Sequence, residues 1–154
     1  MSLVAESAVR TRWLLCRAGT RLYAIPPEFV LETLRPLPIE ALARSIPFVL
    51  GLCILRGRPT PVIDAGLLLG EQAIEPRRLV VLKTSGGLVA LAFREVLGLR
   101  AIQGAQLPPL LRDADGDAVQ AISTHDAELL LVLSAARIVP QGLLESLAEN
   151  EASA

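Results

Sequence analysis

The two halves of the sequence resemble each other, and this internal repeat is the strongest constraint on the fold. The segment "LYAIPPEFVLETL" (22–34) resembles "LVALAFREVLGLR" (88–100), so that Leu31 matches Leu97. Further along, "PVIDA" parallels "LVLSA", so that Pro61 matches Leu131 at a slightly larger offset, because loops lengthen between the copies. Such a repeat predicts two copies of one small structural unit, packed side by side around a shared core.

Short apolar runs broken by glycine and proline make strands the main element of each copy. Aromatic residues are only 3% of the chain, so its core must be aliphatic. Pro59 and Pro61 cannot donate ladder hydrogen bonds, which indicates an edge or a bulge there. Strands are predicted at 12–18, 21–26, 28–38, 52–57, 59–64, 77–84, 87–93, 94–102, 118–124 and 128–134.

Helix is predicted only in short pieces. Residues 42–51 read as a helical turn with Ser45 as N-cap, 65–70 as one turn at most, and 140–150 as a C-terminal helix. The fold class is therefore mainly β, with two five-stranded barrels and helices confined to turns and the C-terminus. The predicted organisation is one domain over 12–148, made of two interleaved lobes, between flexible tails at 1–11 and 149–154. A loop rich in proline, aspartate and glycine is expected at 103–117.

Composition excludes several classes of function. The net charge is −1 without a basic stripe, which argues against a nucleic-acid partner. The longest apolar stretch, "IPFVLGLCIL", is too short to span a membrane, and the N-terminus lacks the pattern of a secretory signal. Cys16 and Cys53 lie in apolar segments without a CxxC spacing, which predicts buried, reduced thiols in a cytoplasmic protein.

No constellation of residues predicts catalysis or a cofactor. Asp64 has no partner carboxylate or histidine and is expected to cap the turn that follows it. His125 is the single histidine of the chain, too few for an HD-type metal site. The acids of "DADGD" (113–117) lack the glutamate of a calcium loop, and "TSGG" is too short to cradle a phosphate. The sequence predicts no enzyme and no cofactor.

The motif "V.G...LRG...PVID" (49–64), preceded by "YAIP" and followed by "LG", is similar to the signature of the CheW-like domain family. The resemblance runs from Trp13 to Leu147 and is most specific over 49–64. It implies two SH3-like five-stranded barrels and a non-catalytic adaptor. Its implied partners are the cytoplasmic tip of a chemoreceptor and a CheA-type histidine kinase, whose regulatory domain has the same fold and pairs with the adaptor barrel to barrel.

The same resemblance implies which residues contact partners. The arginine of "LRG" is expected at an exposed junction between loop and strand, where the following glycine allows a sharp turn. Where relatives often carry an acid before the second-half motif, this chain carries Arg94 in "AFREV". The predicted interaction residues are Val30, Glu32, Gly51, Arg56, Gly57, Arg94, Val96 and Leu99.

Three functions remain open on the sequence. The favoured one is a cytoplasmic adaptor in a chemosensory pathway or a related pathway of pili or surface motility, recruited to membrane receptor arrays. The second is a regulatory CheW-like module of another two-component pathway. The third, from a different class, is a carrier of small apolar ligands that uses the groove between the barrels.

Overall fold

A computed structural model describes residues 12–102, 118–134 and 137–153, with side chains described as far as residue 147. The predicted tail 1–11 and the predicted loop 103–117 lie outside these residues. The strands are β1 (Arg12–Arg17), β2 (Leu22–Ile25), β3 (Val30–Leu34), β4 (Val49–Leu55), β5 (Arg58–Asp64), β6 (Arg78–Thr84), β7 (Gly87–Phe93), β8 (Glu95–Ala101), β9 (Val119–His125) and β10 (Glu128–Leu133). The helices are α1 (Ala65–Leu68) and α2 (Gln141–Ser153), and a 3₁₀ turn covers Pro27–Phe29.

The strands form two five-stranded sheets, which confirms the predicted mainly β class. Sheet I has the order β8-β1-β2-β10-β9 and sheet II has the order β3-β6-β7-β5-β4. Replacing each strand by its equivalent in the other copy, β1 by β6 and so on, turns one order into the other. Each sheet therefore takes two strands from one copy of the repeat and three from the other.

Four β-bulges fall at equivalent places in the two copies and support the repeat in detail. The pairing of β3 with β6 skips Leu31, and the pairing of β8 with β1 skips Leu97. The pairing of β4 with β5 skips Leu50, and that of β9 with β10 skips Gln120. Leu31 and Leu97 are the residues that match in the sequence repeat. Leu50 and Gln120 are separated by the same offset as Pro61 and Leu131. Because a bulge bends its strand, both sheets curve at the same positions.

The largest core cluster lies between the sheets and is mostly aliphatic. Tyr23 and Phe93 are its bulkiest fully buried side chains, and Ile63 and Leu91 pack with them. Leu143 and Leu147 of α2 join the same cluster, so the predicted C-terminal helix is confirmed and docked on the core. Burying a leucine stabilises a fold by about 1.5–3 kcal/mol. The helix runs to Ser153, beyond the end predicted from the sequence.

The helical turn predicted at 42–51 is wrong. Ile46 is buried and its carbonyl accepts from the Val49 amide at 3.1 Å, which makes a tight turn. Phe48 adopts a φ of 68°, a left-handed conformation that a helix does not allow. Ser45 is exposed, and β4 begins at Val49. The need to bury Ile46 and enter β4 overrides the capping signal at Ser45.

Pro59 and Pro61 lie in the half of β5 that has a neighbouring strand on one side only. β5 lies between β4 and β7, so it is not an edge strand as a whole. Its pairing with β7 covers only Val62 to Asp64, however, while β4 pairs along its whole length. The prolines therefore occupy the half of β5 without a second partner. Opposite Pro61, Leu52 directs its N–H and C=O to Glu40, so the missing N–H of Pro61 breaks no bond to β4.

Candidate partner-binding groove

A groove lies where the edge strand β3 of sheet II meets the edge strand β8 of sheet I. Its volume is about 470 Å³. Because β3 and β8 are equivalent strands of the repeat, both copies contribute the same strand to the lining of the groove. It is lined by Leu14, Pro27, Val30, Glu32, Thr33, Arg78, Val96, Leu97, Gly98 and Leu99.

Four of the eight predicted interaction residues come together in this groove. Val30 and Glu32 come from β3, while Val96 and Leu99 come from β8. Val30 and Val96 are equivalent in the repeat and are partly buried, whereas Leu99 is 47% exposed. The groove thus offers aliphatic side chains to solvent from both lobes.

Arg56 and Gly57 form the tight turn between β4 and β5. Their φ angles of 51° and 79° are both positive, as the two central residues of a type I′ hairpin turn require. The equivalent hairpin between β9 and β10 repeats this conformation at Asp126 and Ala127, with φ angles of 50° and 63°. The expectation that Gly57 makes a sharp turn presenting Arg56 is confirmed.

The Arg56 side chain reaches from this turn to Glu32 in the groove wall. Its Nη2 lies 2.6 Å from Oε2 of Glu32, with side-chain exposures of 65% for the arginine and 29% for the glutamate. The contact is a close ion pair, so the guanidinium of Arg56 compensates the charge of this Glu32 oxygen. Since Glu32 is on β3 and Arg56 follows β4, the pair also joins the two edge strands of sheet II.

Gly51 does not face the groove. It is buried, and a Cβ added there would lie 2.1 Å from the carbonyl oxygen of Glu40. Glu40 pairs with Leu52 as an isolated bridge, with both N···O distances at 2.8 Å. Gly51 thus lets the segment after β3 pack directly on β4, which is a structural role.

Arg94 also lies apart from the groove. It is exposed between β7 and β8, and its Nη1 donates to the carbonyl of Gly19 at 3.1 Å. It lines a different cleft, which shares no lining residue with the groove.

Glu71 is the polar residue that sequence reasoning missed. Its Oε1 accepts from the backbone N–H of Thr20 at 2.9 Å and of Arg21 at 3.3 Å, and its Oε2 accepts from the Tyr23 hydroxyl at 2.9 Å. It follows α1 and therefore ties the β5 end of sheet II to the β1–β2 hairpin of sheet I. No local signal could reveal this, because its partners lie in a distant, earlier part of the chain.

The remaining polar residues considered in the sequence have structural settings. Asp64 caps α1 as predicted, accepting from the Leu67 amide at 3.0 Å, and also accepts from the Ile74 amide at 3.1 Å. Cys16 and Cys53 are buried and unpaired, and burial raises the pKa of both thiols. Among the described residues, no group of three histidine, cysteine or acidic side chains is placed to hold a metal.

Comparison with known proteins matches residues 12–142 to the family described as the CheW-like domain. The chain belongs to the CheW-like family. A curated relative, Protein FrzA of Myxococcus xanthus, is 34% identical over 142 residues, which cover 86% of this chain and 89% of the relative. The crystal structure of the scaffolding protein TtCheW from Thermoanaerobacter tengcongensis matches with a TM-score of 0.72 at 19% identity, covering 84% of this chain and 92% of that one. This structure supports the fold.

CheW-like proteins are non-catalytic adaptors, so this chain is not an enzyme. Within the part of the chain that the structure describes, no helix is both long and apolar enough to cross a membrane.

Proposed function

We propose that this CheW-like protein couples the cytoplasmic tip of a chemoreceptor to a CheA-type histidine kinase, in a chemosensory pathway or a related pathway of pili or surface motility. The observation that carries the proposal is the convergence of Val30, Glu32, Val96 and Leu99 on one groove. These residues come from both copies of the repeat, and the family resemblance implied all four as receptor contacts. The protein would act in the cytoplasm, at receptor arrays.

The chemistry of the groove suits a protein segment with an apolar stripe. Val30, Val96 and Leu99 supply an aliphatic surface, and removing that surface from water favours the binding of a partner. Leu99 is the most exposed of them, at 47%, and gains most from being covered. A surface of this kind is typical of sites that bind an amphipathic helix.

Glu32 and Arg56 add a polar feature at the groove wall. The Arg56 guanidinium pairs with Glu32 through one nitrogen and is 65% exposed, so it retains N–H groups for a carboxylate or carbonyl of the partner. We therefore assign Glu32 and Arg56 to coupling, with Gly57 shaping their turn.

The Leu99→Asp variant is expected to bind the receptor tip at least about tenfold more weakly than the wild type, because it places a charge in the apolar groove. The measurement is a titration of the purified protein with a receptor cytoplasmic fragment, followed by calorimetry. Leu129→Asp is the matched control, since Leu129 is also an exposed leucine on a strand, at 54%, but lies outside the groove.

The control decides what a loss of binding means. Leu129→Asp should bind like the wild type, and both variants should keep melting temperatures within a few degrees of it. Equal loss in both variants, or wild-type binding by Leu99→Asp, would contradict the assignment of the groove. A protein that binds the kinase regulatory domain but no receptor would favour the regulatory-module alternative.

The Arg56→Glu variant should lose kinase or receptor affinity by at least about tenfold while its free energy of unfolding falls by only about 1 kcal/mol. An exposed ion pair is worth about 0.2–1 kcal/mol, whereas a charge at an interface can contribute more to binding. Urea unfolding and the same titrations, with both partners, measure the two effects.

A charge swap separates coupling from folding at this pair. Glu32→Arg combined with Arg56→Glu restores opposite charges, so stability should recover, but affinity should not, because the partner meets reversed charges. Recovery of affinity in the double variant would show that the pair matters only through the fold.

A further inference from the structure

A second cleft, separate from the groove, lies beside the β1–β2 hairpin. Its volume is about 600 Å³, and its walls come from that hairpin, from the segment between α1 and β6, and from the β7–β8 junction. Three arginines line it, one from each of these parts: Arg21, Arg77 and Arg94. We call it the arginine cleft.

The arginines of this cleft are only weakly neutralised. Within the described residues, neither Arg21 nor Arg94 has a carboxylate within ion-pair distance, and Arg94 is held by the neutral Gly19 carbonyl. Arg77 meets Glu75 at 3.7 Å, with side-chain exposures of 64% for the arginine and 80% for the glutamate. An ion pair this exposed and this long neutralises little of the charge of Arg77.

The other acid of the cleft, Glu71, is already engaged by the hairpin. Its two oxygens accept from the amides of Thr20 and Arg21 and from the Tyr23 hydroxyl. Its charge is thus satisfied by these fixed donors and not by the arginines of the cleft.

We propose that the arginine cleft binds an acidic protein segment, as a contact surface additional to the groove. Each guanidinium offers a fork of donors suited to a carboxylate. A volume of about 600 Å³ is far larger than one inorganic anion needs, and the arginines come from three separate loops. An extended segment with several carboxylates fits three arginines on three separate loops. The cleft shares no residue with the groove, so both surfaces can be occupied at once.

The test is fluorescence anisotropy with a labelled oligoglutamate peptide, with an oligolysine peptide of equal length as the negative probe. Oligoglutamate should bind at low salt and weaken steeply as salt rises, because exposed charges are screened. Oligolysine should not bind. Absence of oligoglutamate binding at low salt would overturn the proposal.

Neutral variants locate the binding. Arg21→Gln and Arg94→Gln should each weaken oligoglutamate binding about fivefold. Glu75→Gln removes an acid from the cleft and should strengthen binding about twofold, an effect that a merely structural role would not produce. Arg44→Gln, an exposed arginine between β3 and β4, is the control and should change little.

Three further outcomes would overturn the proposal. They are an equal loss in Arg44→Gln, no change in Arg21→Gln and Arg94→Gln, or displacement of the peptide by inorganic phosphate at similar concentration, which would indicate a small-anion site. Leu99→Asp should bind oligoglutamate normally. The proposal for the cleft and the proposal for the groove can therefore fail separately.

Discussion

Gly51→Ala is expected to lower the free energy of unfolding by about 3 kcal/mol or more, since it adds steric overlap to backbone strain. The new Cβ would lie 2.1 Å from the Glu40 carbonyl oxygen and 2.7 Å from its carbon, and Gly51 has a φ of 151°. Glu40 cannot move away freely, because its N–H and C=O both pair with Leu52 at 2.8 Å. Urea unfolding followed by circular dichroism measures the loss.

Gly57→Ala is the matched control for this effect. Gly57 also has a positive φ, 79°, but a Cβ there would meet nothing within 4 Å. Only backbone strain remains, which costs about 1 kcal/mol. Equal losses in the two variants would mean that the approach of Glu40 is unimportant. A fully stable Gly51→Ala that loses partner binding would instead make Gly51 an interaction residue, as the family resemblance implied.

The repeat made much of the fold predictable. The two offsets between matching segments of the sequence are also the spacings between equivalent bulges, which lie at Leu31 and Leu97 and at Leu50 and Gln120. The alternation of apolar runs with glycine and proline placed the strands because each strand buries aliphatic side chains. Similarity between the copies identifies equivalent segments, but it does not say which copy a strand pairs with. Interleaved lobes were predicted, but which strands are exchanged between the sheets was visible only in the structure.

The candidate site was predictable where the two copies supply matching residues. Val30 and Val96 are equivalent and meet in the groove, so a motif match in each half was enough to find them. Gly51 and Arg94 were predicted from the same family resemblance but lie outside the groove. A sequence motif records the order of residues and not the surface that each residue faces. The Arg56–Glu32 pair links the turn after one edge strand of sheet II to the other edge strand, and no spacing in the sequence reveals that contact.

Glu71→Ala is expected to lower the free energy of unfolding by about 2 kcal/mol or more. It removes one carboxylate that accepts from Thr20, Arg21 and Tyr23, and hydrogen bonds to a charged group are worth about 1.5–3 kcal/mol each when buried. Partial exposure of Glu71 reduces that value. Because these bonds tie sheet II to the β1–β2 hairpin, the loss should also appear as faster amide exchange in that hairpin.

The contribution of Glu71 should depend on pH in a defined direction. Partial burial raises the pKa of Glu71, but hydrogen bonds from Thr20, Tyr23 and Arg21 outweigh this effect and leave the pKa below its ordinary value. A carboxyl whose pKa is lower in the folded state stabilises the fold fully above its unfolded pKa, about 4.3 for glutamate. The stabilisation is lost as pH falls through the folded pKa.

Glu71→Gln tests this charge with almost no change of shape. Its stability should lie below that of the wild type at pH 7, and the difference should shrink below about pH 4, where the wild-type carboxyl takes up a proton. Glu75→Gln is the matched control: Glu75 is 80% exposed and meets only Arg77, at 3.7 Å, so its stability should stay within about 0.5 kcal/mol of the wild type. A difference between Glu71→Gln and the wild type that stays constant from pH 7 to pH 3 would show that the charge of Glu71 does not hold the two sheets together. A wild-type exchange rate in the β1–β2 hairpin of Glu71→Ala would lead to the same conclusion by an independent measurement.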